Sequence, residues 1–137
     1  MALLKRAAAE GELLICEVVY AEVGAHFTDE LLLGRFLRDT RISVERSELA
    51  CLAVAGRKWR QHRKNSPGPC CPQCGASVTV ECPQCARAVN FRQHLIPDFL
   101  VASHAVSHAN RLLSRDRGFY ARYFPDLMVI RDPRSWV

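Results

Sequence analysis

Residues 96–130, IPDFLVASHAVSHANRLLSRDRGFYARYFPDLMVI, decide how this chain folds. Pro97 suits the first turn of a helix, and the apolar pattern carries that helix to about Asn110. At about 100° per residue, Asp98, Ala102, Ala105 and Ala109 share one face. A strip of alanines there lets the helix lie close against a sheet, with Asp98 at its N-terminal end. RLLS then reads as a short strand, RDRG as a turn, FYARYF as a helical turn closed by Pro125, and LMVI as a last strand.

Working outward, GELLIC reads as a buried strand and EVVYAEVGAHF as a helix, with Val18, Val19, Glu22, Val23 and His26 on one face. TDELLLGRFLRDT starts at a cap, Thr28 or Asp29. RISVE is strand-like, and Ser47 is placed to cap SELACLAVAGRKWRQHRK. Strands alternating with helices predict a parallel sheet covered on both faces. The expected fold is a small three-layer α/β domain over residues 1–137, with a module inserted at about 66–93.

A chain of 137 residues is enough for one core, and 49% hydrophobic with 24% charged residues is a globular composition. No apolar run approaches the roughly 20 residues that cross a bilayer, so a membrane partner is not expected. The N-terminus lacks a long apolar core and a cleavage site, which predicts the cytoplasm rather than secretion.

The insert contains the tetrapeptide CPQC twice. Cys71, Cys74, Cys82 and Cys85 offer four thiolates, the donor set of a tetrahedral structural Zn²⁺. A two-residue gap lets both sulfurs of a pair turn onto one ion, and Gly75 helps the chain turn away. Val78 and Val80 alternate as a strand between the knuckles would. The seven-residue spacer is shorter than the roughly 15–20 residues of common ribbons, so the expected module is a minimal zinc-ribbon-like knuckle. Redox pairs or unpaired surface thiols are the plainer readings, but neither accounts for the repetition. With all four positions taken by protein, this zinc would be structural.

The net charge of +5 is unevenly spread. Arg57, Lys58, Arg60, Arg63 and Lys64 crowd around Trp59, and Arg87 and Arg92 follow. A basic run at the end of a helix is ordinarily a solvated face that complements the helix dipole; the alternative is a phosphate-binding surface.

Three acids are candidate metal ligands. Asp116 follows strand RLLS directly, and ligands of open α/β sheets bind beyond the carboxyl ends of strands. Asp98 lies at the same rim. Glu22 shares its helical face with Val18 and Val19, a costly place for an unpaired carboxylate. Capping for Asp98, a turn for Asp116 and the stripe's edge for Glu22 are the plain alternatives. Together the acids have the oxygen chemistry that Mg²⁺ or Mn²⁺ requires. His104 and His108 read as surface or packing residues, His104 being about 600° of helix rotation from Asp98.

The segments GELLICEVVYAEV, IPDFLVASHA and LLSRDRGFYARYFPDLMVI resemble the PIN-domain ribonucleases, particularly the VapC-type toxins of bacterial toxin–antitoxin pairs. The resemblance covers most of the chain outside 66–93. It implies a Mg²⁺- or Mn²⁺-dependent endoribonuclease in which Glu22, Asp98 and Asp116 match the acidic positions. Ser114 matches the Thr or Ser beside the last acid. It also implies an RNA substrate, a protein antitoxin and a homodimer.

Two departures stand out. The cysteine insert lies outside the basic PIN pattern. These proteins also begin with a strand carrying an aspartate, V-D-T-s-V-L-I, which this sequence lacks, so the domain reads as N-terminally truncated. In the family that strand sits between GELLIC and RLLS. The chain is therefore expected to pair GELLIC with RLLS, to be poorly soluble, or to take a strand from a partner. The alternative function is a catalytically impaired PIN-like module that binds RNA or protein and is held by structural zinc.

Overall fold

The computed structural model describes residues 2–65, 71, 73–74, 76–89, 96–116 and 118–131. The chain opens with α1 (Ala2–Glu10), whose last turn is tied by an Arg6–Glu10 ion pair of 3.2 Å at the i, i+4 spacing. After β1 (Leu13–Cys16) comes α2 (Glu17–Gly24). Helix α3 (Glu30–Thr40) starts where the Asp29 carboxylate accepts the Leu31 N–H at 2.6 Å, which caps an otherwise unsatisfied amide. It stops at Arg41, which takes the left-handed conformation with φ 55°. Then follow β2 (Ile42–Glu45), α4 (Leu49–Asn65), α5 (Ile96–His108), β3 (Leu112–Leu113), α6 (Phe119–Tyr123) and β4 (Val129–Ile130).

Helix α4 packs along α5, and this pair organises the core. The alanine strip of α5 is buried as expected at Ala102 and Ala105, but against α4 and the aromatics of α6 rather than a sheet, with Ala55 of α4 in the same cluster. Phe99 is fully enclosed, with Phe119 edge-on at 4.8 Å and Tyr123 at 5.4 Å between ring centroids. Tyr120, Phe124 and Leu127 complete the cluster. The short α6 is thus held by its aromatic side chains rather than by helical propensity, since five residues are too few to be stable alone.

The fold is mixed α/β with parallel strand pairs, but the expected single sheet is two sheets. β1 pairs with β2 from Leu13↔Ile42 to Cys16↔Glu45, and β3 pairs with β4 at Leu112↔Val129 and Leu113↔Ile130. GELLIC does not pair with RLLS. Between them lies an open cleft of about 680 Å³, lined by β1, by β3 and by Val101, His104, Ala105 and His108 of α5. In β3, the amides of Leu112 and Ser114 donate to Met128 O and Ile130 O at 2.8 and 3.1 Å. Alternate peptide groups of a strand point in opposite directions, so the peptide of Leu113 faces the cleft. Nothing among the described residues bridges the two edges, so each strand keeps its outer neighbour.

Ser47 does not cap α4. Its hydroxyl bridges Glu17 Oε2 and His104 Nδ1, both at 3.0 Å, joining α2 and α5 across the loop before α4. Val78 and Val80 belong to no strand; an isolated antiparallel bridge, Glu81↔Ala88, is formed instead. No described helix is long and apolar enough to cross a membrane.

Candidate functional site

Glu22, Asp98, Ser114 and Asp116 come from three places in the fold. Glu22 is in the last turns of α2, Asp98 in the first turn of α5, and Ser114 and Asp116 in the segment that leaves β3. Ser114 is fixed by its backbone bond to β4, and its hydroxyl accepts the Asp116 N–H at 3.1 Å. The Asp116 carboxylate in turn accepts the Gly118 N–H at 2.8 Å. The turn expected for Asp116 is therefore real, and it sets the carboxylate immediately before α6.

Tyr120 ties the four residues together. Burial pushes its phenol up to about 12, and the carboxylates of Asp98, Asp116 and Glu22 add to the shift in that order. A hydrogen bond with the Ser114 side chain acts the other way. The charges of all three acids thus reach this one phenol. The sequence places Tyr120 in the helical turn FYARYF, and nothing in that local pattern marks it as a neighbour of the acids.

Glu22 corrects one expectation. It is exposed, whereas Val18 and Val19 of the same helix are half-buried, so its carboxylate lies outside the apolar contact and pays no burial cost. Asp98 and Asp116 are half-buried. Among the described residues, no group of three or more His, Cys, Asp or Glu side chains is close enough to hold a metal ion. The acids share an environment without sharing one coordination sphere. Their donors are all carboxylate oxygens, which fits a hard divalent cation and does not fit a thiophilic one.

The cysteine pairs form two copies of one local structure. The Cys71 N–H donates to Ala76 O at 2.8 Å, and the Cys82 N–H donates to Arg87 O at 2.9 Å, five residues on in both cases. In the second copy Ala86 takes φ 54° directly after the last cysteine, the position held by Gly75 in the first. The Cys71 thiol is lowered below its ordinary range by the amides of Cys74 and Gln73 and by the Cys74 side chain. The Cys82 thiol is lowered in the same way by Gln84 and Cys85. Amides aimed at sulfur favour the thiolate, the form that binds metal. The four cysteines are free, and the two pairs are not gathered into one ligand group. Of the insert 66–93, residues 66–70, 72, 75 and 90–93 lie outside the described residues, and with them Arg92.

The basic run lies along α4. Arg57, Arg60, Arg63 and Lys64 are exposed, and Lys58 is half-buried. The Arg63 guanidinium covers the Trp59 ring at 5.2 Å, and Lys58 Nζ sits over Phe124 at 5.5 Å. These contacts fix two of the five cations against aromatic faces.

His104 is buried and stacks on His108 at 4.4 Å, which bears out a packing role. Its Nε2 has no hydrogen-bond partner. No family model, no curated protein and no solved structure matches this chain.

Proposed function

We propose that this chain is a metal-dependent endoribonuclease of the PIN type. The observation that carries the reading is that the charges of Asp98, Asp116 and Glu22 all act on Tyr120, which is hydrogen-bonded to Ser114. A divalent cation would neutralise the charge that the three carboxylates bring to this part of the fold. Glu22, Asp98 and Asp116 would hold Mg²⁺ or Mn²⁺ once their side chains turn onto one ion, since they are not gathered into one ligand group here. When bound, such an ion polarises a water and stabilises charge on the oxygens of a phosphodiester.

The chain's own residues do the rest. Ser114 holds the Asp116 backbone by accepting its N–H, and Asp116 holds the start of α6 by accepting the Gly118 N–H. Tyr120 stays protonated at neutral pH and is a hydrogen-bond donor at the edge of the site. Arg57, Lys58, Arg60, Arg63 and Lys64 supply the positive surface along which an RNA backbone lies. Cys71, Cys74, Cys82 and Cys85 would hold a structural Zn²⁺, the low thiol pKa values at Cys71 and Cys82 being the supporting feature. A protein antitoxin, a homodimer and a cytoplasmic location belong to the same reading.

One observation favours a second reading. With no three described acids within reach of one ion, the same surface suits an RNA- or protein-binding module without catalysis. RNA cleavage with and without Mg²⁺ or Mn²⁺, with Asp98→Asn as control, separates the two. Metal-dependent cleavage lost in Asp98→Asn supports the nuclease. RNA binding with no cleavage under any metal sinks it and leaves the binding module.

A further inference from the structure

Lys58, Gln61 and Asn65 follow one another on α4 at spacings of three and four, so they form one row on the helix surface. Opposite this row stand Arg122, Tyr123 and Pro125, at the end of α6 and just beyond it. Together these six residues line a pocket of about 270 Å³. Arg122 belongs to no basic cluster of the sequence; only the packing of α6 against α4 brings it to Lys58.

The chemistry of this pocket is one-sided. It is lined by an ammonium, a guanidinium and two side-chain amides, and by no carboxylate. Among the described residues neither Lys58 nor Arg122 is in a salt bridge. Each cation lies against an aromatic ring. Lys58 Nζ lies 5.5 Å from the centre of the Phe124 ring, and the Arg122 guanidinium lies 5.5 Å from that of Tyr123. The Tyr123 hydroxyl is in turn pinned at 2.6 Å from Nδ1 of the buried His62, so the wall beneath Arg122 is rigid. Two preplaced cations facing one pocket repel each other, and an anion between them removes that cost while accepting from Gln61 and Asn65.

We infer that this pocket is a phosphate subsite that holds one phosphodiester of a single-stranded RNA backbone. The naming of RNA rests on the ribonuclease reading, whereas the anion chemistry does not. A volume of about 270 Å³ is enough for a phosphate with part of its sugar, and the cations and amides lining it suit the phosphate. Tyr120, beside the acids, and Tyr123, on the pocket wall, are three residues apart on α6. The pocket wall and the residue on which the acids act are thus parts of one short helix.

The test is oligonucleotide binding to the protein as purified, with its zinc, in buffer without Mg²⁺ or Mn²⁺, where nothing is cleaved. A fluorescent single-stranded octaribonucleotide is titrated by anisotropy over a range of salt. Replacing both cations, Lys58→Gln with Arg122→Gln, should reduce the slope of log K against log salt by about 0.7, the value for one phosphate of a single strand. Arg35→Gln with Arg38→Gln, an equal charge change on the exposed face of α3, should leave the slope nearly unchanged. Lys58→Arg with Arg122→Lys should restore it, which excludes misfolding as the cause. An unchanged slope in the pocket variant, or an equal fall in the α3 variant, overturns the subsite. Inorganic phosphate that binds at the pocket while the oligonucleotide does not would overturn the RNA assignment in favour of a free anion. Because cleavage is read separately, a lowered slope without metal-dependent cleavage keeps the subsite and sinks the nuclease; cleavage with an unchanged slope does the reverse.

Discussion

The hydroxyl of Ser47 and Nδ1 of His104 stand 3.0 Å apart although 57 positions separate them in the chain. Glu17 completes the group, accepting from the Ser47 hydroxyl and backbone N–H at 3.0 and 3.1 Å. Burial and the neighbouring His108 depress the His104 pKa, against the opposing pull of Glu17 and Glu45. For Glu17, burial acts upward, but its own amide, the two Ser47 donors and His104 hold the carboxyl below its ordinary value.

Both shifts make the fold acid-sensitive. A histidine with a depressed folded pKa binds its proton more readily once unfolded, so stability falls as pH drops below the unfolded value of about 6.5. A carboxylate with a depressed pKa contributes stability above about 4.5 that is lost as pH falls further. Urea midpoints measured from pH 7.5 to 5 should decline, and His104→Asn should flatten that decline while lowering stability at pH 7.5 by about 1–3 kcal/mol. An identical pH profile in the variant would remove His104 from the account.

Tyr120 offers a reading of the acids that needs no turnover. Its phenol is raised to about 12 partly by Asp98, Asp116 and Glu22. A divalent cation among them reverses the sign of that local charge and should bring the phenol down. Ultraviolet difference titration in Mg²⁺, at a pH below hydroxide precipitation, should show added phenolate that is missing in Tyr120→Phe and in Asp116→Asn. No metal-dependent change would mean that the three carboxylates do not share an ion.

The paired cysteines should carry one zinc. Protein purified without added metal is expected to contain about one zinc per chain, given the high affinity of four-thiolate sites. Cys74→Ser or Cys82→Ser should lower the content, because removing either ligand opens the site. Zinc-free protein, or content unaffected by both substitutions, would leave two reduced hairpins.

The strand edges make a prediction of their own. Leu112 and Ser114 donate their amides to β4, whereas the Leu113 peptide faces the cleft between β3 and β1. Amide exchange at Leu113 should be faster than at both neighbours by at least about tenfold, since its N–H lacks the ladder bond that each of them makes. Slow exchange at all three would show that the cleft closes in solution.

Much of the fold was legible in the chain order of its patterns. The helix from Ile96, the strands around Leu13 and Leu112, the Asp29 cap and the turn at Asp116 all follow from local periodicity and side-chain reach. Local rules work there because each partner lies within a few residues. The opposite holds for Ser47, which read as a helix cap and serves instead as a bridge between Glu17 and His104. A hydroxyl takes whichever partner packing delivers, and only packing delivers a partner 57 residues away.

The sequence by itself determined the element order, the mixed α/β class and the acids and cysteines in their spacing. The tertiary structure alone decided that the strands form two separate pairs, because sheet pairing depends on which edges meet and not on how strand-like each segment is. It also decided that the charges of Asp98, Asp116 and Glu22 act on Tyr120, and that Arg122 and Lys58 line one pocket. Both follow from one cause. The aromatic residues of α6 are too large to stay exposed, and burying them on α4 and α5 carries the polar residues beside them to places that no local pattern encodes.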